Sequence, residues 1–145
     1  MEYNKYLASI LDNTYCPFCS LSKNDIVEER KYFYVILARA PYCEDHLLII
    51  PKRHIILLKE MRWREKREVQ KILQERTERL ETQHEGVSVL LRNGYRNGKI
   101  GKSVDHLHIH LIPDLPIGSE NGDGRIFLSN AEYHKQTKYL KKQYL

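Results

Sequence analysis

The run Asp105-His106-Leu107-His108-Ile109-His110-Leu111-Ile112-Pro113 constrains this chain more than any other stretch. Leu107, Ile109, Leu111 and Ile112 alternate with, and then follow, three histidines, a pattern that predicts a β-strand. Side chains at i, i+2 and i+4 of a strand share one face. One face therefore carries three imidazoles, and the other is apolar and belongs to a core. An imidazole is a nucleophile, a proton donor, a metal ligand or, when protonated, an anion binder near neutral pH. Packing alone gives no reason for three in register. A ladder that binds only metal is the main rival, since imidazoles suit zinc, copper and nickel.

Length and composition narrow the class. The chain has 145 residues and reads as one domain over residues 1–145, long enough to bury a core. It is 41% hydrophobic and 30% charged, as expected of a globular protein. No apolar run is long enough to cross a bilayer, and Met1-Glu2-Tyr3-Asn4-Lys5 does not open a signal peptide, so no membrane partner is expected. Three cysteines, two of them in a Cys-x-x-Cys, argue against a disulfide framework and for the cytoplasm. A net charge of +5 suits an anionic ligand but is too mild to point to nucleic acid.

The periodicities predict an α+β fold. Residues 3–12 place Tyr3, Tyr6, Leu7, Ile10 and Leu11 on a helical stripe, and Cys16-Pro17-Phe18-Cys19 follows as a turn. Strands are predicted at Lys31–Ala38, Leu47–Ile50, Val87–Arg92 and Leu107–Ile112. An amphipathic helix spans 62–84 with Val69, Ile72, Leu73, Arg76 and Leu80 at helical spacing. Ser129-Asn130-Ala131-Glu132 resembles a capping box and opens a final helix over about 130–144, whose lysines suit its C-terminal end. Strands joined by short loops, with helices outside the run, indicate an antiparallel sheet of about five strands with flanking helices.

The loop before the histidines is Asn93-Gly94-Tyr95-Arg96-Asn97-Gly98-Lys99-Ile100-Gly101-Lys102-Ser103. Asn-Gly pairs make ordinary hairpin turns, but glycine also lets backbone amides approach a ligand and line an anion-binding concavity. Set against three histidines, the loop reads as a phosphate cradle. Gly101-Lys102-Ser103 is not a P-loop, because a strand follows it and not a helix.

Gly101-Lys102-Ser103-Val104-Asp105-His106-Leu107-His108-Ile109-His110-Leu111-Ile112-Pro113 resembles the signature of the histidine triad (HIT) family, in which His-φ-His-φ-His-φ-φ follows Gly-Gln-Ser/Thr-Val. Asp45-His46-Leu47-Leu48-Ile49-Ile50-Pro51-Lys52-Arg53-His54 is similar to its Gly-His-φ-φ-φ-φ-Pro-Lys-x-His strand. Cys16-Pro17-Phe18-Cys19 resembles the Cys-x-φ-Cys of its zinc-carrying members. The three motifs stand in order over residues 16–113.

The resemblance implies an antiparallel HIT-like fold, a homodimer, and a purine nucleotide or dinucleotide as substrate. It implies His108 as the nucleophile toward an α-phosphorus, forming a covalent nucleotidyl-histidine that water hydrolyses. His110 and His46 would hold phosphoryl oxygens, and Ser103 would meet the phosphate or the leaving atom. Asn93 or Asn97 would contact phosphate beside Gly101 and Lys102. The strand around Lys31–Leu37 would help form the nucleoside pocket. Cys16, Cys19, His54 and His106 would bind a structural zinc, for which two thiolates and two imidazoles suffice. The rival for the cysteines is a redox Cys-Pro-x-Cys, which would need a preceding strand where residues 3–12 look helical.

Three positions depart from the family pattern. Lys102 replaces glutamine, adding charge near a leaving group. Asp45 replaces glycine, and Asp114 stands where many members have arginine. The implied activity is hydrolysis or transfer on a nucleoside phosphoramidate or dinucleoside polyphosphate. The alternative is a nucleotide- or metal-binding protein without efficient turnover, and repair of adenylated DNA is a weaker third reading.

Overall fold

A computed structural model describes residues 15–116 and 128–143. The chain divides into two compact units, Met1–Leu115 and Pro116–Leu145. The first holds a five-stranded sheet: β1 (Ile26–Glu29), β2 (Phe33–Leu37), β3 (Leu47–Pro51), β4 (Val87–Leu91) and β5 (Ile109–Pro113). The spatial order is β1-β2-β3-β5-β4, and every neighbouring pair is antiparallel. Helix α1 (Trp63–Glu81) lies between β3 and β4 in the chain.

The interior strands β3 and β5 are buried at every residue, which explains why both read as nearly unbroken apolar runs. Register then sorts their side chains between two cores. Ile49 pairs with Ile109, and Leu48 pairs with His110. Phe33, Val35, Ile49, Ile109 and Leu111 join Val69 and Ile72 of α1 in one core. Ile36, Leu48 and Ile50 join Phe18 and Val104 in the other. The imidazole of His110 thus shares the second face, opposite the helix.

Helix α1 buries Glu65, Val69, Ile72 and Leu80, a stripe at helical spacing. Its one buried charge has a purpose: Glu65 accepts from the Arg62 backbone N–H at 2.8 Å and from Arg53 Nη2 at 2.7 Å. The carboxylate satisfies an orphan helix-start donor while pinning the segment after β3.

Strand β1 has no counterpart among the four strands assigned from the sequence. Ile26-Val27-Glu28-Glu29 is an edge strand with a bulge between Ile26 and Glu28, and its glutamates look solvated in sequence. Glu28 is held instead by Arg30 and by Arg76 of α1. The ladder of β5 begins at Ile109, later than the expected Leu107. The Leu107 N–H leaves the sheet to donate to Ile55 O at 2.6 Å, yet the alternation of side chains continues through it. Leu107 remains in the helix-side core.

The second unit contains helix α2 (Asn130–Gln143). Ser129 Oγ accepts from the Glu132 N–H at 3.2 Å, and Lys141 and Lys142 sit in the last turn, where cations suit the dipole. The helix expected over residues 3–12 lies outside the described residues. Among the described residues, no helix is long and apolar enough to cross a membrane.

Candidate active site and metal centre

Three imidazoles converge on the face of the sheet opposite α1. His110 stands on β5, His108 just before it, and His46 at the start of β3, where its carbonyl accepts from the Ala38 N–H at 2.9 Å. All three are buried. Ring centroids are 4.9 Å apart for His108 and His110, and 5.1 Å for His46 and His110.

The hydrogen bonds assign the protons. His46 Nδ1 accepts from the Tyr42 backbone N–H at 3.1 Å, so a neutral His46 carries its hydrogen on Nε2. That nitrogen lies 2.9 Å from His110 Nδ1, which then accepts and leaves the hydrogen of His110 on Nε2. His110 Nε2 is a buried donor with no partner among the described residues. His108 Nδ1 donates to His106 O at 2.7 Å, and its Nε2 keeps a free lone pair. An unprotonated nitrogen therefore stands beside an aimed N–H. This pairing can attack an electrophilic centre and bind the oxygen that gains charge.

Burial keeps these rings neutral. It is the main cause that pushes His108 down to about 4 and His110 to about 3, and neighbouring imidazoles and Arg92 add to the effect. His46 is lowered by burial.

Two residues later than Cys16-Pro17, the same turn closes back on itself, with the Cys19 N–H donating to Cys16 O at 3.2 Å. It brings four potential ligands together. Cys16 Sγ is 3.3 Å and Cys19 Sγ 3.5 Å from His106 Nδ1; His54 Nδ1 is 3.2 Å from Cys19 Sγ and 3.1 Å from His106 Nδ1. A tetrahedral ion with ligand bonds of ~2.0–2.3 Å separates its donors by roughly 3.3–3.8 Å. The observed spacings suit that geometry. His106 Nε2 donates to Pro51 O at 2.8 Å, which presents the Nδ1 lone pair to the cluster. Burial and the Cys16 sulfur push the Cys19 thiol up to about 11, a penalty that a bound cation would reverse. The four residues are able to hold a metal ion.

Phe18, between the two cysteines, packs edge-to-face on both rings, its centroid 5.8 Å from that of His106 and 5.2 Å from that of His108. Beyond it opens a cavity of about 490 Å³ lined by Pro17, Phe18, Leu21, Ile26, Ile36 and Leu37, among others. Ile36 and Leu37 of strand β2 and Ile26 of β1 contribute to it, the latter with no signal in the sequence.

The glycine-rich loop is arranged differently from a simple cradle. Lys102 is buried, and its Nζ donates to Ile56 O at 3.0 Å and Gly94 O at 2.9 Å. Its charge thus ties the loop to the segment after β3, and burial lowers its proton affinity. Gly101 has φ +71, a conformation glycine takes freely. Asn93 Oδ1 accepts from the Leu58 N–H at 2.9 Å, while Asn97 and Ser103 are exposed. Asp45 and Asp114 both turn to His84, at 2.8 Å each. Neither Tyr42, which also stacks on His46, nor His84 was anticipated, because each acts through a fold contact and not a motif.

Known proteins resolve the family. A HIT domain model matches residues 21–116. The chain belongs to the HIT family. Among HIT relatives, it is 35% identical over 103 residues to the adenosine 5′-monophosphoramidase of Saccharomyces cerevisiae, covering 68% of this chain and 61% of that one. The crystal structure of the histidine triad nucleotide-binding protein from Candida albicans superposes with TM-score 0.69 at 26% identity, over 89% of this chain and 96% of that one. A zinc-bound histidine triad family protein from Mycobacterium smegmatis shares the fold, with TM-score 0.54 at 19% identity over 92% and 87% of the two chains.

A HIT site of neutral buried imidazoles fixes how the fold responds to acid. His46 and His110 have folded values below that of a free imidazole, about 6.5, so the unfolded chain binds protons first. Their contribution to stability is complete above that value and is lost as the pH falls toward the folded values. The urea midpoint should decline steadily from about pH 6.5 to about pH 5, with a shallower slope in His46→Asn. A midpoint constant across that interval in wild type would contradict neutral burial.

Proposed function

We propose that the protein is a nucleotidyl hydrolase or transferase that cleaves at the α-phosphate of a nucleoside phosphoramidate or dinucleoside polyphosphate. The observation that carries this reading is the pairing of a free His108 Nε2 with the unpartnered His110 Nε2 hydrogen. The His108 lone pair forms a bond to phosphorus, and the bond to the departing amine or phosphate breaks, the leaving group taking its electron pair and a proton from solvent. Water then bonds to phosphorus, the phosphorus–His108 bond breaks, and the nucleoside monophosphate departs as the water's proton returns to solvent. His110 donates to a phosphoryl oxygen, where transition-state charge accumulates, and His46 fixes the His110 tautomer from behind.

The cavity beside Phe18 suits a purine nucleoside, because its walls are mostly aliphatic and aromatic and Phe18, one of them, packs on the His108 ring. Ser103, exposed at the head of the segment, would meet the leaving atom. Gly101 and either Asn93 or Asn97 would line the phosphate side. Lys102 supports this loop from behind through its two carbonyls. The activity of the yeast relative favours the phosphoramidate arm.

Zinc is the ion that best suits two thiolates and two imidazoles, and all four protein ligands leave no open position. Its role would be structural: it would fasten the Cys16–Cys19 turn to His54 and His106, and no reaction step passes through it. The free edge of β4, with Val89 exposed on it, supports a homodimer in which two such edges meet.

Three measurements test these readings. Intact-protein mass spectrometry after incubation with adenosine phosphoramidate or diadenosine polyphosphate should show one added adenylyl group in wild type or His110→Ala. It should be absent in His108→Ala, whose turnover should fall roughly a thousandfold or more. No adduct and no hydrolysis with either substrate would leave the alternative, a binding protein without efficient turnover. Elemental analysis should find one zinc per chain, lost in Cys16→Ser together with several degrees of melting temperature; equal metal content in the two proteins would refute the ligand set. Sedimentation should give a dimer that Val89→Lys weakens, whereas a monomer at high concentration would remove the β4 interface.

A further inference from the structure

His84 lies just beyond α1, its N–H donating to Leu80 O at 2.9 Å. Both of its ring nitrogens face carboxylates: Nε2 is 2.8 Å from Asp45 Oδ2, and Nδ1 is 2.8 Å from Asp114 Oδ2. Ionised carboxylates only accept, so both bonds exist together only when both nitrogens carry hydrogen. The clamp is therefore an imidazolium between two anions.

What it clamps is unusual backbone. Asp45 and Asp114, with φ of 63° and 55°, are the non-glycine residues with positive φ among those described. An L-residue there is held by its surroundings. Asp114 has further support: its Oδ1 accepts from the Glu85 and Gly86 N–H groups, and its own N–H donates to Gly86 O at 3.0 Å. The Cys43 thiol adds a stitch to Pro113 O at 3.2 Å. For the Asp45 side chain, His84 is the partner the structure provides. The next residue is His46, whose ring nitrogen meets His110.

We propose that His84 is a positioning residue: as an imidazolium bridging Asp45 and Asp114, it holds the left-handed turn that sets His46 against His110. This rests on the proposed part of His46 in the reaction. The charged groups facing His84 are Asp45, from the loop between β2 and β3, and Asp114, from the end of β5. Cys43 lies near the same carboxylates, and burial followed by their charges raises its thiol, so it stays uncharged near neutrality. Hydrogen bonds that His84 donates to Asp45 and then to Asp114 raise it above the usual imidazole value. A raised value means that the double tether is complete below about pH 6.5 and is released as the pH climbs through the folded value. The site thus loosens with alkali, although His46, His108 and His110 are already neutral.

The test pairs His84→Gln with Asp45→Gly. Glutamine keeps a polar side chain but cannot carry the charge, and glycine adopts positive φ without help. His84→Gln should lower kcat roughly ten- to hundredfold at neutral pH with KM changed less than about threefold, and should erase the alkaline limb of the kcat profile. In the Asp45→Gly background the same substitution should cost less than about threefold, since the turn no longer depends on the clamp. Equal losses in both backgrounds, or an alkaline limb that persists in His84→Gln, would overturn the proposal. NMR of the His46 ring supplies a readout that needs no turnover. Its resonances should report the His84 titration in wild type and not in His84→Gln, so an inactive protein with that coupling would sink the hydrolase reading alone. Absence of the coupling would sink the clamp.

Discussion

A buried imidazole has two nitrogens to satisfy, and meeting that demand orders the centre of this molecule. His106 spends one on the Pro51 carbonyl and turns the other to the cysteines. His108 spends one on the carbonyl of His106, two residues back. His46 accepts from the backbone of Tyr42 and passes its remaining hydrogen toward His110. After these pairings one donor is left over, on His110, next to one free lone pair, on His108. This donor and lone pair are what remain when every other nitrogen of the four rings has been used, so their polarity follows from backbone groups that cannot ionise.

The alternation that delivers these rings runs beyond the sheet that first suggests it. Leu107, Ile109 and Leu111 all reach the helix-side core, although only the last two lie in the ladder. Core packing at Leu107 and its bond to Ile55 replace strand pairing there. One extended segment thus places His106 in the cysteine–histidine cluster at one end and His108 and His110 beside His46 farther along.

Much of this was legible in the chain. Alternating apolar residues located β5, the unbroken run at 47–51 located β3, and the stripe through Val69, Ile72 and Leu80 located α1. The convergence of Cys16, Cys19, His54 and His106 followed from three motifs in order. What stayed hidden depends on distant partners. Strand β1 carries two glutamates whose partners are scattered along the chain: Arg30 and Arg76 of α1 for Glu28, and Lys52 for Glu29. Lys102 reads as a free cation, but its head is taken by a carbonyl 46 residues away. Asp45 and Asp114 read as departures from the family pattern, whereas His84, 39 and 30 residues from them, is the partner that draws both together. Local patterns specify elements; they do not say where a long polar side chain turns.

The turn at Cys16–Cys19 joins two properties that are usually discussed apart. Its sulfurs belong to the four-residue cluster able to hold a metal ion, while Pro17 and Phe18 form a wall of the cavity and Phe18 leans on His108. None of the hydrogen bonds that set the tautomers of His46, His108 and His110 comes from this turn. Anything that slackens it removes a side of the cavity and breaks none of those hydrogen bonds directly. The wall of the cavity and the polarity of the imidazoles are consequently built from different parts of the chain, so a substitution can reshape the one and spare the other.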